Sequence, residues 1–191
     1  MSKIIFGGTR VKGLLVISNG IEDGEALATR ALLRRAQLDV VTITYESTLE
    51  IETAFGLKVK ADYFATDVYL NDYEFVVIPG GGYVSKVVDQ DTNIKELVKY
   101  FDKQGKLVAA ICAGPRFLGQ AGLLNGKSFT AYKGSEKDMP KGTYLPDQKA
   151  VKDRNIITAR GAGAIYEFSY EIIKYLLGEE KAEALLKNIL Y

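Results

Sequence analysis

Cysteine occurs once among these 191 residues and histidine not at all. The cysteine, Cys112, closes the apolar run LVAAI at 107–111 and is followed by Ala113-Gly114-Pro115. A buried strand that breaks through small residues into a helix, with proline in its first turn, is the layout of a nucleophile elbow. There the thiol stands at a helix N-terminus. The partial positive charge favours thiolate, so the thiol pKa is expected below its usual value of about 8.5. The alternative is a buried structural cysteine, a common fate of free thiols. The Gly-Pro sequel favours the reactive one. Without histidine no Cys-His dyad forms, within the chain or between identical copies. A zinc site of cysteine and histidine is excluded on the same count, and no metal is expected.

The second candidate is Glu25. Positions 25, 28, 32 and 36 hold Glu25, Ala28, Leu32 and Ala36, which puts Glu25 at the N-terminal end of an otherwise apolar stripe. A partly desolvated carboxyl has a raised pKa. It can stay protonated and donate to a Cys112 thiolate, or serve as general acid and base. The competing reading is an acid favoured by the helix dipole in a first turn, the role expected of Glu22 and Asp23. Spacing alone leaves the two readings even. Gly80-Gly81-Gly82 follows another buried strand, and the N–H groups around Gly81 and Gly82, with that of Ala113, are a candidate oxyanion hole. The alternative is a plain strand-end turn. GGGYVS has neither the Gly-Lys-Ser/Thr of a phosphate loop nor the third glycine of the dinucleotide pattern. Arg160-Gly161-Ala162-Gly163 reads as a further tight loop after a strand.

These residues need elements to hold them. KGLLVIS at 12–18 reads as a buried strand before an Asn19-Gly20 turn, and 22–36 as a helix. DVVTIT at 39–44 is a β-branched strand, and 50–60 a hairpin around Gly56. FVVI from 75 and LVAAI from 107 are buried strands. Helices are expected over 93–104, capped by Thr92 or Asp91, and from Pro115 onward. Short strands at 127–132 and 155–158 precede closing helices at 164–177 and 179–190. Continuous apolar strands alternating with helices predict a flavodoxin-like doubly wound α/β sandwich, a mostly parallel sheet covered on both faces. In such sheets ligands sit outside the carboxyl ends of the strands, where the turns at 18–20, 80–82 and 112–114 converge. A single domain is expected over 12–191, with 1–11 as an N-terminal extension of no assigned role.

The totals bound the partners. There are 25 basic and 24 acidic residues, so neither nucleic acid nor an anionic membrane is expected as main partner. A single cysteine forms no intramolecular disulfide, which fits a reducing compartment, and no apolar run reaches the ~18 residues of a membrane span. MSKIIFGGTRVKG lacks the long apolar segment of a signal peptide. A cytoplasmic protein is expected.

AAICAGP around Cys112, PGGG at 79–82, GIEDGE at 20–25 and ARGAG at 159–163 together resemble the ThiJ/PfpI superfamily. The nearest branch is that of the parkinsonism-associated protein deglycase and its bacterial relatives. The resemblance runs from about Lys12 to the C-terminus. It implies a flavodoxin-like homodimer whose nucleophile matches Cys112 and whose partner glutamate matches Glu25. It also implies small aldehydes or peroxide as partners and no cofactor. The family's activities include glyoxalase chemistry, repair of glycated groups, oxidative-stress sensing through cysteine sulfinate, and chaperoning. Two positions depart. The family histidine after the elbow helix falls on Tyr132, and a phenol is a poorer proton shuttle at neutral pH than an imidazole. The polar residue before the hairpin glycine falls on Phe55. Both departures weaken glyoxalase turnover, and the first also disfavours a protease. With Tyr132, Arg160 and Gly161 as pocket residues, the expectation is a weak cofactor-independent glyoxalase or deglycase working through Cys112 and Glu25. The alternatives are an oxidative-stress sensor or chaperone-like protein, and a protein that binds a metabolite without chemistry.

Overall fold

Strands buried on both faces read as continuous apolar runs, as do residues 14–16, Phe75–Ile78 and Leu107–Ile111 at the centre of this molecule. The computed structural model describes residues 10–191. β1 (Lys12–Val16) runs parallel to β2 (Asp39–Thr44) on one side and to β6 (Phe75–Ile78) on the other. β7 (Leu107–Ile111) lies beside β6, and β11 (Ile156–Ala159) beside β7, all parallel. The seven-stranded order β10-β11-β7-β6-β1-β2-β5 adds β5 (Tyr63–Phe64) at one edge and β10 (Ala150–Asp153) at the other. β10 is antiparallel to β11. The fold is the expected doubly wound α/β sandwich.

The hairpin over 50–60 is present as β3 (Glu50–Glu52) and β4 (Lys58–Lys60), antiparallel and apart from the main sheet. The strand expected at 127–132 shrinks to β8 (Ser128–Phe129), paired with β9 (Thr143–Tyr144). Beyond it the backbone bonds to single partners instead of a ladder: Thr130 N–H donates to Thr158 Oγ1 at 2.9 Å. β10 was not foreseen, because its charged outward residues disguise an edge strand as a loop.

The helices are α1 (Thr29–Arg35), α2 (Gly82–Val87), α3 (Asn93–Lys103), α4 (Pro115–Gln120), α5 (Ile165–Leu177) and α6 (Glu179–Asn188). α3 buries Ile94, Leu97, Val98 and Phe101, a stripe at 3–4 spacing. Each such side chain contributes about 1.5–3 kcal/mol when fully buried. α2 was unforeseen, since three glycines argue against a helix beginning among them. The expected helix over 22–36 begins instead with a π-helical turn, Gly24–Ala28. The wider winding moves the inward face. Glu25, Ala26, Thr29, Leu32 and Leu33 are buried, whereas Ala28 and Ala36 of the expected stripe are only half-buried.

Residues 1–9 of the expected N-terminal extension lie outside the described residues. Val11 already joins the fold, its carbonyl accepting the Asp39 N–H at 2.9 Å. Among the described residues no helix is long and apolar enough to cross a membrane.

Candidate active site

The chain order reverses at β1, which is flanked by β2 and β6, and the carboxyl ends of β1, β6 and β7 lie side by side. Glu25, Gly80 and Cys112 follow these three strands. Cys112 sits at φ 62°, in the left-handed region. A non-glycine residue there costs about 1–3 kcal/mol and persists only where its surroundings enforce it. They do: Cys112 N–H donates to Ala159 O at 2.8 Å, and its carbonyl accepts Tyr132 N–H at 2.8 Å. Gly114 completes the turn against β6, where a Cβ would lie 2.4 Å from Ile78 O. A strained turn thus joins β7 to α4, with Cys112 half-buried in it.

Glu25 is 1% exposed. The π turn points it at the strand ends, where its carboxyl and the Cys112 side chain both close on Gly80 and the thiol acts on the carboxyl's proton. Gly80 N–H donates to its Oε2 at 2.9 Å, and the Ala162 N–H is also directed at it. Its own N–H donates to Glu22 Oε2 at 2.6 Å, so Glu22 caps the turn as expected of a first-turn acid. Asp23 does something else: it accepts Thr53 Oγ1–H at 2.7 Å and Phe55 N–H at 3.3 Å, tying the hairpin to this turn. Desolvation pushes the Glu25 carboxyl up to about 7. The Cys112 thiol opposes that rise, the Glu22 charge adds to it, and the Gly80 and Ala162 N–H groups oppose it.

The thiol moves opposite to the sequence expectation. Burial pushes its pKa up, and the adjacent Glu25 charge pushes it further, against the Ala113 N–H, which favours thiolate. α4 has only six residues and begins at Pro115, so its dipole is outweighed. Thiolate is disfavoured while Glu25 is ionised. Once a proton settles on Glu25, the repulsion vanishes and the carboxyl becomes a donor to sulfur.

The glycine that meets the pair is Gly80. A Cβ there would lie 2.6 Å from Glu25 Oε2, 2.8 Å from Cys112 Cβ and 3.0 Å from Ala113 N. Gly81 instead bridges to Ile21 across the neighbouring loop, and Gly82 opens α2. A signal for Gly80 exists in the sequence: Pro79 has no N–H, so Gly80 carries the first donor beyond β6. Ala162 had no such signal. Tyr132, Arg160 and Gly161 do come together, lining a cleft of about 630 Å³ with Lys133, Glu136 and Tyr144. Cys112 and Glu25 do not line it. They adjoin it through Tyr132, bonded to the Cys112 carbonyl, and through Ala162, in the cleft wall. Phe55 is exposed on the hairpin. Among the described residues no cluster of three or more His, Cys, Asp or Glu is placed to hold a metal ion.

Comparison with known proteins gives consistent matches. The DJ-1/PfpI family matches residues 11–175. Protein dj-1beta of Drosophila melanogaster is 30% identical over 178 residues, 93% of this chain and 95% of that protein. The glutathione-independent glyoxalase DJR-1.2 of Caenorhabditis elegans is 33% identical over 177 residues, 92% of this chain and 94% of that one. The crystal structure of Drosophila melanogaster DJ-1beta superposes with a TM-score of 0.88 at 30% identity, covering 95% of this chain and 98% of that chain.

Proposed function

The chain belongs to the DJ-1/PfpI family, and we propose that it is a weak cofactor-independent glyoxalase or deglycase, acting on small aldehydes of the methylglyoxal type through Cys112 and Glu25. One observation carries the reading: a buried glutamate, its carboxyl pushed up to about 7 by desolvation, lies beside a cysteine held at positive φ in a tight strand-to-helix turn. A general acid and base is most effective when both of its forms are present at working pH.

The thiol adds across the aldehyde carbonyl. The sulfur–carbon bond forms, the carbonyl π bond opens, and the thiol proton passes by way of Glu25 to the new hydroxyl. The carboxylate then removes the proton on the sulfur-bearing carbon and returns it to the neighbouring carbon, while the hydroxyl proton passes to the neighbouring carbonyl oxygen, leaving a thioester beside a new hydroxyl. Water releases lactate and the free thiol. One carbon is oxidised and its neighbour reduced, so no external oxidant or cofactor enters. Ala113 N–H steadies the oxyanion; Gly81, bridged to Ile21, and Gly82, opening α2, are turned to other partners and are not its donors. The Gly80 N–H is already committed to Glu25. Tyr132, Arg160 and Gly161 form the pocket for the rest of the substrate. A cytoplasmic homodimer completes the reading, and light scattering reads its mass.

The test is methylglyoxal consumption with lactate detection. Turnover by the native protein, lost in Cys112→Ala and Glu25→Gln, is the expected result. Stoichiometric loss of aldehyde without lactate overturns it.

The absence of histidine and of a second cysteine favours a second reading. Peroxide oxidises Cys112 to sulfenate with release of water, and a second peroxide takes it to sulfinate. No partner thiol in the chain intercepts the sulfenate, and protonated Glu25 donates to the product. Mass spectrometry under graded peroxide checks this. A Cys112 that stays reduced while a generic exposed thiol oxidises removes it.

A further inference from the structure

A peptide unit is planar, so whatever fixes its carbonyl also fixes the direction of its N–H. In the unit joining Pro79 and Gly80, the N–H donates to Glu25 Oε2 at 2.9 Å and the carbonyl accepts the Tyr83 hydroxyl at 3.0 Å. Both bonds are buried. Gly80 has no side chain to hold the plane, and none fits there. Turning the plane over would aim the carbonyl at the carboxylate and remove the donor. Tyr83 is well placed to prevent this. It is 3% exposed, and its ring stacks on Phe117 with centroids 6.2 Å apart. Burial pushes its pKa up, so the hydroxyl keeps its proton and remains a donor.

We propose that Tyr83 is a positioning residue for the Cys112–Glu25 pair, its hydroxyl holding the Pro79–Gly80 plane so that the Gly80 N–H stays aimed at Glu25. The inference rests on Glu25 being the working partner of Cys112 and adds what sets its donor. The groups facing Glu25 are Cys112 from the elbow, Glu22 from its own turn, Tyr83 from α2, and the Gly80 and Ala162 N–H groups. Removing the Tyr83 hydroxyl disturbs one of these donors and leaves every other charge in place. The Gly80 bond favours the carboxylate, so its loss makes Glu25 hold its proton more tightly.

The experiment titrates Glu25 directly in the intact protein, by the infrared carboxylic acid C=O band that disappears in Glu25→Gln. In Tyr83→Phe the midpoint is expected to rise by roughly half to one pH unit, the worth of one hydrogen bond. Tyr83→Leu, which also lacks the hydroxyl, is expected to move it likewise and serves if the phenylalanine variant does not fold. Phe117→Leu loses the stacking but keeps the hydroxyl, so it should lower the melting temperature and leave the midpoint alone. A wild-type midpoint in a folded Tyr83 variant overturns the proposal, as does an equal shift in Phe117→Leu. The readout needs no turnover. A shift without lactate formation sinks the glyoxalase reading alone, and lactate formation without a shift sinks the role of Tyr83 alone.

Discussion

Glu25 binds its proton up to about pH 7 in the folded chain, against an ordinary value of 4.5. Between those values the native state carries more protons than the unfolded state, so stability falls as pH rises through that window. The site works against the fold by roughly 3 kcal/mol once Glu25 is ionised. Glu25→Gln cannot ionise and still offers an oxygen to the Gly80 N–H. The variant is expected to lose most of the stability difference between pH 5 and pH 8, and to exceed the native protein at pH 8. Urea midpoints at the two pH values read this directly, and an unchanged pH slope would contradict the buried carboxyl. Cys112 stood out in the sequence because it ends an apolar strand, whereas spacing left Glu25 even between two roles and placed it on a stripe whose Ala28 and Ala36 are only half-buried. The direction of the thiol shift was not legible there. It depends on how close the two groups lie and how little water reaches them, which no spacing along the chain records. Gly80 was passed over for its neighbours because all three glycines look alike until the position of Pro79 is weighed.

The elements show the same division. The strands β1, β2, β6 and β7 were readable nearly to the residue, β6 and β7 because they are apolar throughout, and β1 and β2 because apolar and β-branched residues follow a single charged one at the start. The π turn was not readable. Its one extra residue shifts the inward face, and that shift carries Glu25 to the strand ends while Thr29, Leu32 and Leu33 still face the core. The sequence left open whether Thr92 or Asp91 caps α3. The structure decides for Asp91, whose Oδ2 accepts the N–H groups of Ile94 at 3.0 Å and Lys95 at 3.2 Å. Two otherwise unpaired helix donors depend on this one carboxylate. Asp91→Ala is therefore expected to cost about 1 kcal/mol, seen as a lower urea midpoint with unchanged slope, and Asp91→Asn much less. Thr92→Ala should be near neutral, because the Thr92 side chain makes no cap bond. A larger loss in Thr92→Ala than in Asp91→Ala would reverse the assignment.

At the scale of the molecule, one buried cluster joins both halves of the sheet. It runs from Leu14 and Val40 through Phe75 and Val108 to Ile157 and Phe168. Phe75 is where the halves interlock. It pairs in register with Gly13 of β1, and its ring fills the space a side chain at 13 would occupy, with Cζ 2.0 Å from a Cβ built there. Only the folded register reveals the ring across Gly13. Phe75→Ala is expected to cost about 3–5 kcal/mol through lost burial and the cavity it leaves. Gly13→Ala alone drives a methyl into the ring and also destabilises. In the double variant the methyl enters the space the ring has left, so the two losses do not add, and the double-mutant cycle should return a coupling of at least about 1 kcal/mol. Because β6 lies between β1 and β7, the loss at Phe75 is felt on both sides of the sheet. Far-UV circular dichroism and tyrosine fluorescence, tyrosine being the main emitter in a chain without tryptophan, should move to lower urea together in Phe75→Ala, as one cooperative transition. Two separated transitions in that variant would mean that the β1–β2 side and the β7–β11 side fold as independent units.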